Sequence, residues 1–144
     1  MTGPGREERA LAQLVKVARQ KLEEQQTMLS DLQAAKASAE TSLEWLAQAV
    51  RVEEEAALAR PQATVDLKNY LEGANGKRLA LQATRARLEA EIMLVRDAVT
   101  EAFAETAKLE HLIEINRRAT ARLNGKAEAA RLDAASVSRH RRQA

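Results

Sequence analysis

The sequence predicts an all-α fold, a long antiparallel two-helix coiled-coil hairpin. Three observations predict it. Alanine, leucine, glutamate and arginine dominate the 144 residues, while aromatics make up only 2%, the composition of long helices rather than of a thick globular core. Apolar residues recur with a sevenfold spacing over both halves of the chain, the signature of coiled coils. Glycine and proline, the residues that most disfavour a helix interior, are absent from 6–59 and from 77–124. Two unbroken stretches around a central break read as a helical hairpin.

Taken in order, residues 1–5 contain Gly3, Pro4 and Gly5 and are expected to be a flexible N-terminus. The stretch "MTGPGREERA" has no apolar core of the kind that marks a signal peptide. Helix one is expected over about 6–59. Its seam is Val15, Leu22, Leu29, Lys36, Leu43, Val50 and Ala57, with Ala18, Gln25, Leu32, Ala39, Leu46 and Glu53 three residues on. A helix of that length would measure roughly 80 Å at about 1.5 Å per residue.

The break is placed at about 59–65, because Pro61 suits the first turn of a new helix and not the interior of one. The alternative is "EGANG", 72–76, where Asn75-Gly76 is a good turn dipeptide; against it, Leu67 and Ala74 already stand in register with Leu81. Helix two is expected over about 66–135, with weak, frayed first turns. Its seam is Leu67, Ala74, Leu81, Leu88, Val95, Ala102, Leu109, Asn116, Leu123 and Ala130, thickened by Leu71, Ile92, Val99 and Ile113. A short connection makes antiparallel neighbours, so both chain ends are expected at one end of the hairpin. Residues 136–144 are expected to form a flexible basic tail.

The net charge of +2 hides an asymmetry. Residues 1–60 carry 8 basic and 10 acidic side chains and residues 61–115 carry 7 and 9, whereas residues 116–144 carry 8 and 2, a net of +6. A basic end of this kind suits an acidic partner surface. Nucleic acid is the less favoured partner and is not expected: the stacking aromatics that single-strand binding uses are absent from the basic end. There are no cysteines, hence no disulfide framework and no thiolate metal site. The longest run of aliphatic residues and methionine, Ile92–Val95, is far short of the roughly 20 residues that span a bilayer, so no direct membrane insertion is expected.

An enzyme needs convergent groups in a pocket, and a two-helix hairpin supplies none; no catalytic residue, metal site or cofactor is expected. No phosphate loop, zinc spacing or nucleophile elbow is present. His111 and His140 read as solvated, as does the acidic cluster in "VEEEAALAR" (52–60). Asn116 on the apolar series either fixes register or marks the seam opening towards its end. Trp45 either covers the edge of the seam or meets a partner. The basic run of Arg117, Arg118, Arg122, Lys126 and Arg131 is either a solvated tail or a docking handle.

The stretch "EAFAETAKLEHLIEINRR" (101–118), extended upstream through "YLEGANGKRLALQATRARLEAEI" and downstream to "ARLDAAS", resembles the second helix of the FliJ family. These are small coiled-coil stalk proteins of the flagellar type III export apparatus. The resemblance covers about half the chain and rests on Phe103 and on Lys108-Leu109-Glu110-His111-Leu112. Many members carry Leu-Asp-Glu near the C-terminus; here Leu132-Asp133 is followed by Ala134, a departure at that contact. The resemblance implies an antiparallel hairpin that docks at the hexameric export ATPase and links it to the membrane export gate protein, with a further association with export chaperones. It also implies a cytoplasmic location, peripheral to the inner membrane at the flagellar base.

On that reading the partner-binding residues are Phe103, Arg117, Arg118, Arg122 and Lys126. The seam is carried by Leu22, Leu29, Leu43, Leu46, Val50, Leu81, Leu88, Val95 and Leu109. The rival readings are a helical-hairpin scaffold or chaperone that binds client helices, and a coiled coil associated with nucleic acid.

Overall fold

The computed structural model describes residues 5–143; residues 1–4 and residue 144, the outermost parts of the expected flexible ends, lie outside the described residues. The protein is an all-α helical hairpin, two helices packed against each other with no strand among the described residues. Helix α1 runs Arg6–Leu58, a single 3-10 turn spans Pro61–Ala63, and helix α2 runs Thr64–Gln143.

Local chemistry sets these bounds. The Gly5 carbonyl accepts from the Arg9 N–H at 3.1 Å and so closes the first turn of α1, a position where glycine is tolerated. Glu7 and Glu8 in that turn face the positive end of the helix macrodipole. The end of α1 is dictated by Pro61, whose ring forces the preceding residue out of the helical region; Arg60 sits at φ −136°, ψ 92°. Pro61 then opens the 3-10 turn, where its missing N–H costs nothing. The Thr64 hydroxyl donates to the Pro61 carbonyl at 2.8 Å, which ties the turn to α2.

The alternative turn at 72–76 is not used: Gly73 and Gly76 lie inside α2, which is helical from Thr64 onwards. Nothing lies within 4 Å of a Cβ built on either glycine. Gly73→Ala and Gly76→Ala are therefore expected to stabilise the protein by about 1 kcal/mol each, through backbone entropy alone, read as a higher urea midpoint with an unchanged slope. A destabilised double variant would show that this segment needs its glycines.

The other end of α2 is also a correction. The helix continues to Gln143 rather than ending near 135, so residues 136–143, expected as a flexible basic tail, are helical. After Gly125 the sequence has neither glycine nor proline. His140, Arg141 and Arg142 occupy the last turn, where cations complement the negative end of the macrodipole.

The chain divides into two compact units, Glu23–Thr100 and Met1–Leu22 with Glu101–Ala144. In the first, Ala39 of α1 and Ala74, Leu88, Ile92 and Val95 of α2 are buried, and Leu29, Leu43, Leu46, Val50 and Leu81 are half-buried. Lys36 occupies a seam position with its stem half-buried. Its ammonium lies 3.8 Å from Glu40 and 3.7 Å from Glu89, as a long cationic side chain can when its head stays wet. In the second unit Val15, Ala102 and Thr106 are buried, with Leu22, Leu109, Ile113 and Asn116 half-buried. The buried Thr106 hydroxyl donates to the Ala102 carbonyl one turn back at 2.8 Å, which lets a polar residue sit in the seam without an orphaned group. No side chain among the described residues is less than 2% exposed, so the seam is thin.

Candidate docking surface at the basic end of α2

The unit that holds both chain-terminal segments is cross-linked by two interhelical ion pairs, Arg19–Glu110 at 2.7 Å and Arg117–Glu8 at 3.0 Å. Low numbers on α1 meet high numbers on α2, as an antiparallel pair requires. The residue numbers in the two pairs total 129 and 125, so Arg6, the first residue of α1, stands level with about 119–123 of α2. Beyond Asn116 every described residue of α2 is exposed. The segment from Arg117 to Gln143 is a helix of about 40 Å, at about 1.5 Å per residue, that reaches past the start of α1.

Leu123 and Ala130, expected in the seam, are therefore corrected: both are exposed, Leu123 by 67%. They keep the spacing of a seam, but no described residue of α1 lies opposite to cover them. Glu53 is likewise exposed near the end of α1. Asn116 is half-buried at the last covered position, where the seam opens.

The expected partner-binding residues fall into two groups. Arg117 pairs across the helices with Glu8; its own side chain is 64% exposed and that of Glu8 is 22% exposed. Arg118 bonds Glu114 one turn back at 3.1 Å, with both side chains more than half exposed. Such a pair contributes about 0.3–0.5 kcal/mol, so Arg118 is readily redirected to a partner. Arg122 and Lys126 are exposed and form no ion pair among the described residues. Phe103 is 63% exposed, one residue past buried Ala102. Arg139, Arg141 and Arg142, expected in a flexible tail, lie on α2.

Trp45 is 74% exposed and does not cover the seam edge. His111, His140 and Glu53–Glu55 are exposed, and no cluster of potential metal ligands exists among the described residues. Sequence reasoning missed an open groove of about 630 Å³ between the helices of the Glu23–Thr100 unit. Leu43, Leu46, Val50 and Leu71 line its apolar floor, and Arg51, Arg78 and Arg85 stand at its edges. On the α2 side its lining passes from Leu71 and Ala74 to Arg78, with no large apolar residue beyond Leu71. Its lining contains no histidine, serine, threonine or cysteine. Among the described residues no helix is long and apolar enough to cross a membrane.

These features define a class: a two-helix hairpin with one helix prolonged as a basic, solvent-exposed extension. No protein-family model, curated protein or solved structure matches the chain.

Proposed function

We propose that the protein is a coiled-coil stalk or adaptor of the flagellar-type protein export apparatus, docking at the hexameric export ATPase and linking it to the membrane export gate. The reading rests on the resemblance carried by residues 101–118 to the second helix of FliJ-family stalks. The observation that supports it lies at the end of that segment, where the helix leaves its partner after Asn116 and continues as a cationic extension. A stalk needs a stiff element with charges in fixed directions and needs no active site. Arginines on a helix lose less side-chain and chain entropy on forming bidentate pairs with carboxylates than arginines on a loose chain. On this reading the protein works at the cytoplasmic face of the inner membrane, with export chaperones as a further partner class.

Arg118 and Arg122 are four residues apart and so share one face of α2. Reversing both to glutamate is expected to weaken binding to the cognate hexameric ATPase at least tenfold, since each lost charge-assisted contact is worth about 1.5–3 kcal/mol. Helix content by circular dichroism should not change, because neither residue is paired with α1. Titration of the ATPase with the two chains decides it, and undiminished binding by the double variant removes these arginines from the docking role.

The groove lined by Leu43, Leu46, Val50 and Leu71 favours a second reading, a scaffold or chaperone that accommodates a client helix. Co-purification separates the two: the stalk needs an ATPase ring, and the scaffold needs helical clients and binds without one.

A further inference from the structure

We infer that the extension of α2 presents a second surface, distinct from the Arg118–Arg122 face, that pairs with an acidic amphipathic helix of another protein. The seam pattern of α2 does not stop level with Arg6, where α1 begins. Counting on from Leu109 and Asn116 in sevens gives Leu123, Ala130 and Val137; counting on from Thr106 and Ile113 gives Thr120, Ala127 and Ala134. These two rows are the ones that α1 covers earlier in the helix. Here they are exposed, Leu123 by 67% and Val137 by 53%. The face is thus already patterned for a helix, and a helix draws most of its stability from packing such a face.

Charge selects the occupant. In coiled coils the residues beside the seam choose the partner. On α2 the row just after the seam carries Glu110 and Arg117, the residues that make both interhelical ion pairs among the described residues of this unit. Seven and fourteen residues beyond Arg117 the same row holds Asn124 and Arg131, and the opposite flank holds Ala119, Lys126, Asp133 and His140. Lys126 and Arg131 therefore stand where an opposing helix would place its own charged residues, as Glu8 does opposite Arg117. Residues 117–143 carry 8 basic and 2 acidic side chains. Two copies of this extension would bring a net +6 against a net +6, so self-pairing is opposed, whereas a helix with glutamates beside its apolar row is favoured. Arg118 and Arg122 point away from this face, because they sit two and six residues beyond Asn116 on the helix turn.

The test uses the full chain and a synthetic four-heptad peptide with leucine and isoleucine on its seam and glutamate on both flanks. A second peptide has the same seam and lysine flanks. Isothermal titration should show the glutamate peptide binding at least tenfold more tightly than the lysine one, with the preference shrinking at high salt. Leu123→Gln, and separately the pair Lys126→Glu and Arg131→Glu, should each weaken the glutamate peptide at least tenfold. Arg118→Glu with Arg122→Glu should change it less than threefold. Circular dichroism checks that the extension stays helical in each variant. Equal binding of the two peptides overturns the proposal, and so does an outer-face reversal as damaging as the flank reversal, which would mean diffuse charge attraction. Self-association of the free chain that Leu123→Gln abolishes would make the occupant a second copy and also overturns it. The proposal shares with the stalk reading only the premise that this part of α2 docks, and the peptide and ATPase titrations fail independently.

Discussion

Leu88→Ala is expected to cost about 2–3 kcal/mol of unfolding free energy, whereas Leu94→Ala, six residues away on the same helix, should cost less than about 0.5 kcal/mol. The two substitutions remove the same atoms from different surroundings. Leu88 is 6% exposed, in the same buried stripe of α2 as Ile92 and Val95, while Leu94 is 71% exposed. Truncation of Leu88 loses the transfer free energy of the deleted carbons and leaves a gap that the two helices only partly close. The expected cost lies towards the lower end of core leucine truncations because no side chain of this seam is sealed below 2% exposure; water can enter the gap from the side. Leu109, half-buried in the other unit, should fall between the two. Urea unfolding monitored by circular dichroism measures all three, and a cost at Leu88 no larger than that at Leu94 would mean that the packed stripe runs along another face.

The seam of α1 shows how far spacing alone can reach. From Val15 to Val50 the sevenfold series and its companions coincide with positions that are buried or half-buried. A repeat of seven holds one stripe towards a partner, and that stripe can be written down before the partner is known. The same arithmetic on α2 fails after Asn116 for a physical reason. Spacing says which face could be covered, but coverage depends on where the other helix starts, and Arg6 stands level only with about 119–123. Arg117 escapes sequence reasoning for a related reason: its partner Glu8 lies 109 residues away in sequence, and only the register between the helices brings them together. Thr106 is invisible as a seam residue because its polarity hides the back-bond to Ala102. The turn is legible through Pro61, which restricts the residue before it, whereas Gly73 and Gly76 permit a turn without requiring one. Along the open groove beside Leu43 and Leu71 the α2 lining passes from Ala74 to Arg78, a polar interruption visible in the sequence once the register is known.

The sharpest contrast between the packed and unpacked parts of α2 comes from proline. Ala102→Pro should abolish the cooperative stability of its unit, while Ala130→Pro should leave the thermal midpoint of the protein within about 1 °C. In a helix interior proline removes one backbone hydrogen bond and clashes with the preceding turn, at about 3 kcal/mol or more wherever it is placed. What differs is what that local break carries with it. Ala102 is 7% exposed, one turn before buried Thr106 and in the same unit as buried Val15. A kink there also separates Glu110 and Arg117 from Arg19 and Glu8, so the loss of packing adds to the backbone cost and takes most of a marginal stability of about 5–15 kcal/mol. Ala130 lies in the exposed extension, where no described residue of α1 is opposite. Its replacement should unwind part of residues 117–143, seen as a fall in the helical signal at low temperature, while the main unfolding transition stays in place. If Ala130→Pro lowers the midpoint as much as Ala102→Pro, the extension is packed in solution against something that contributes to folding.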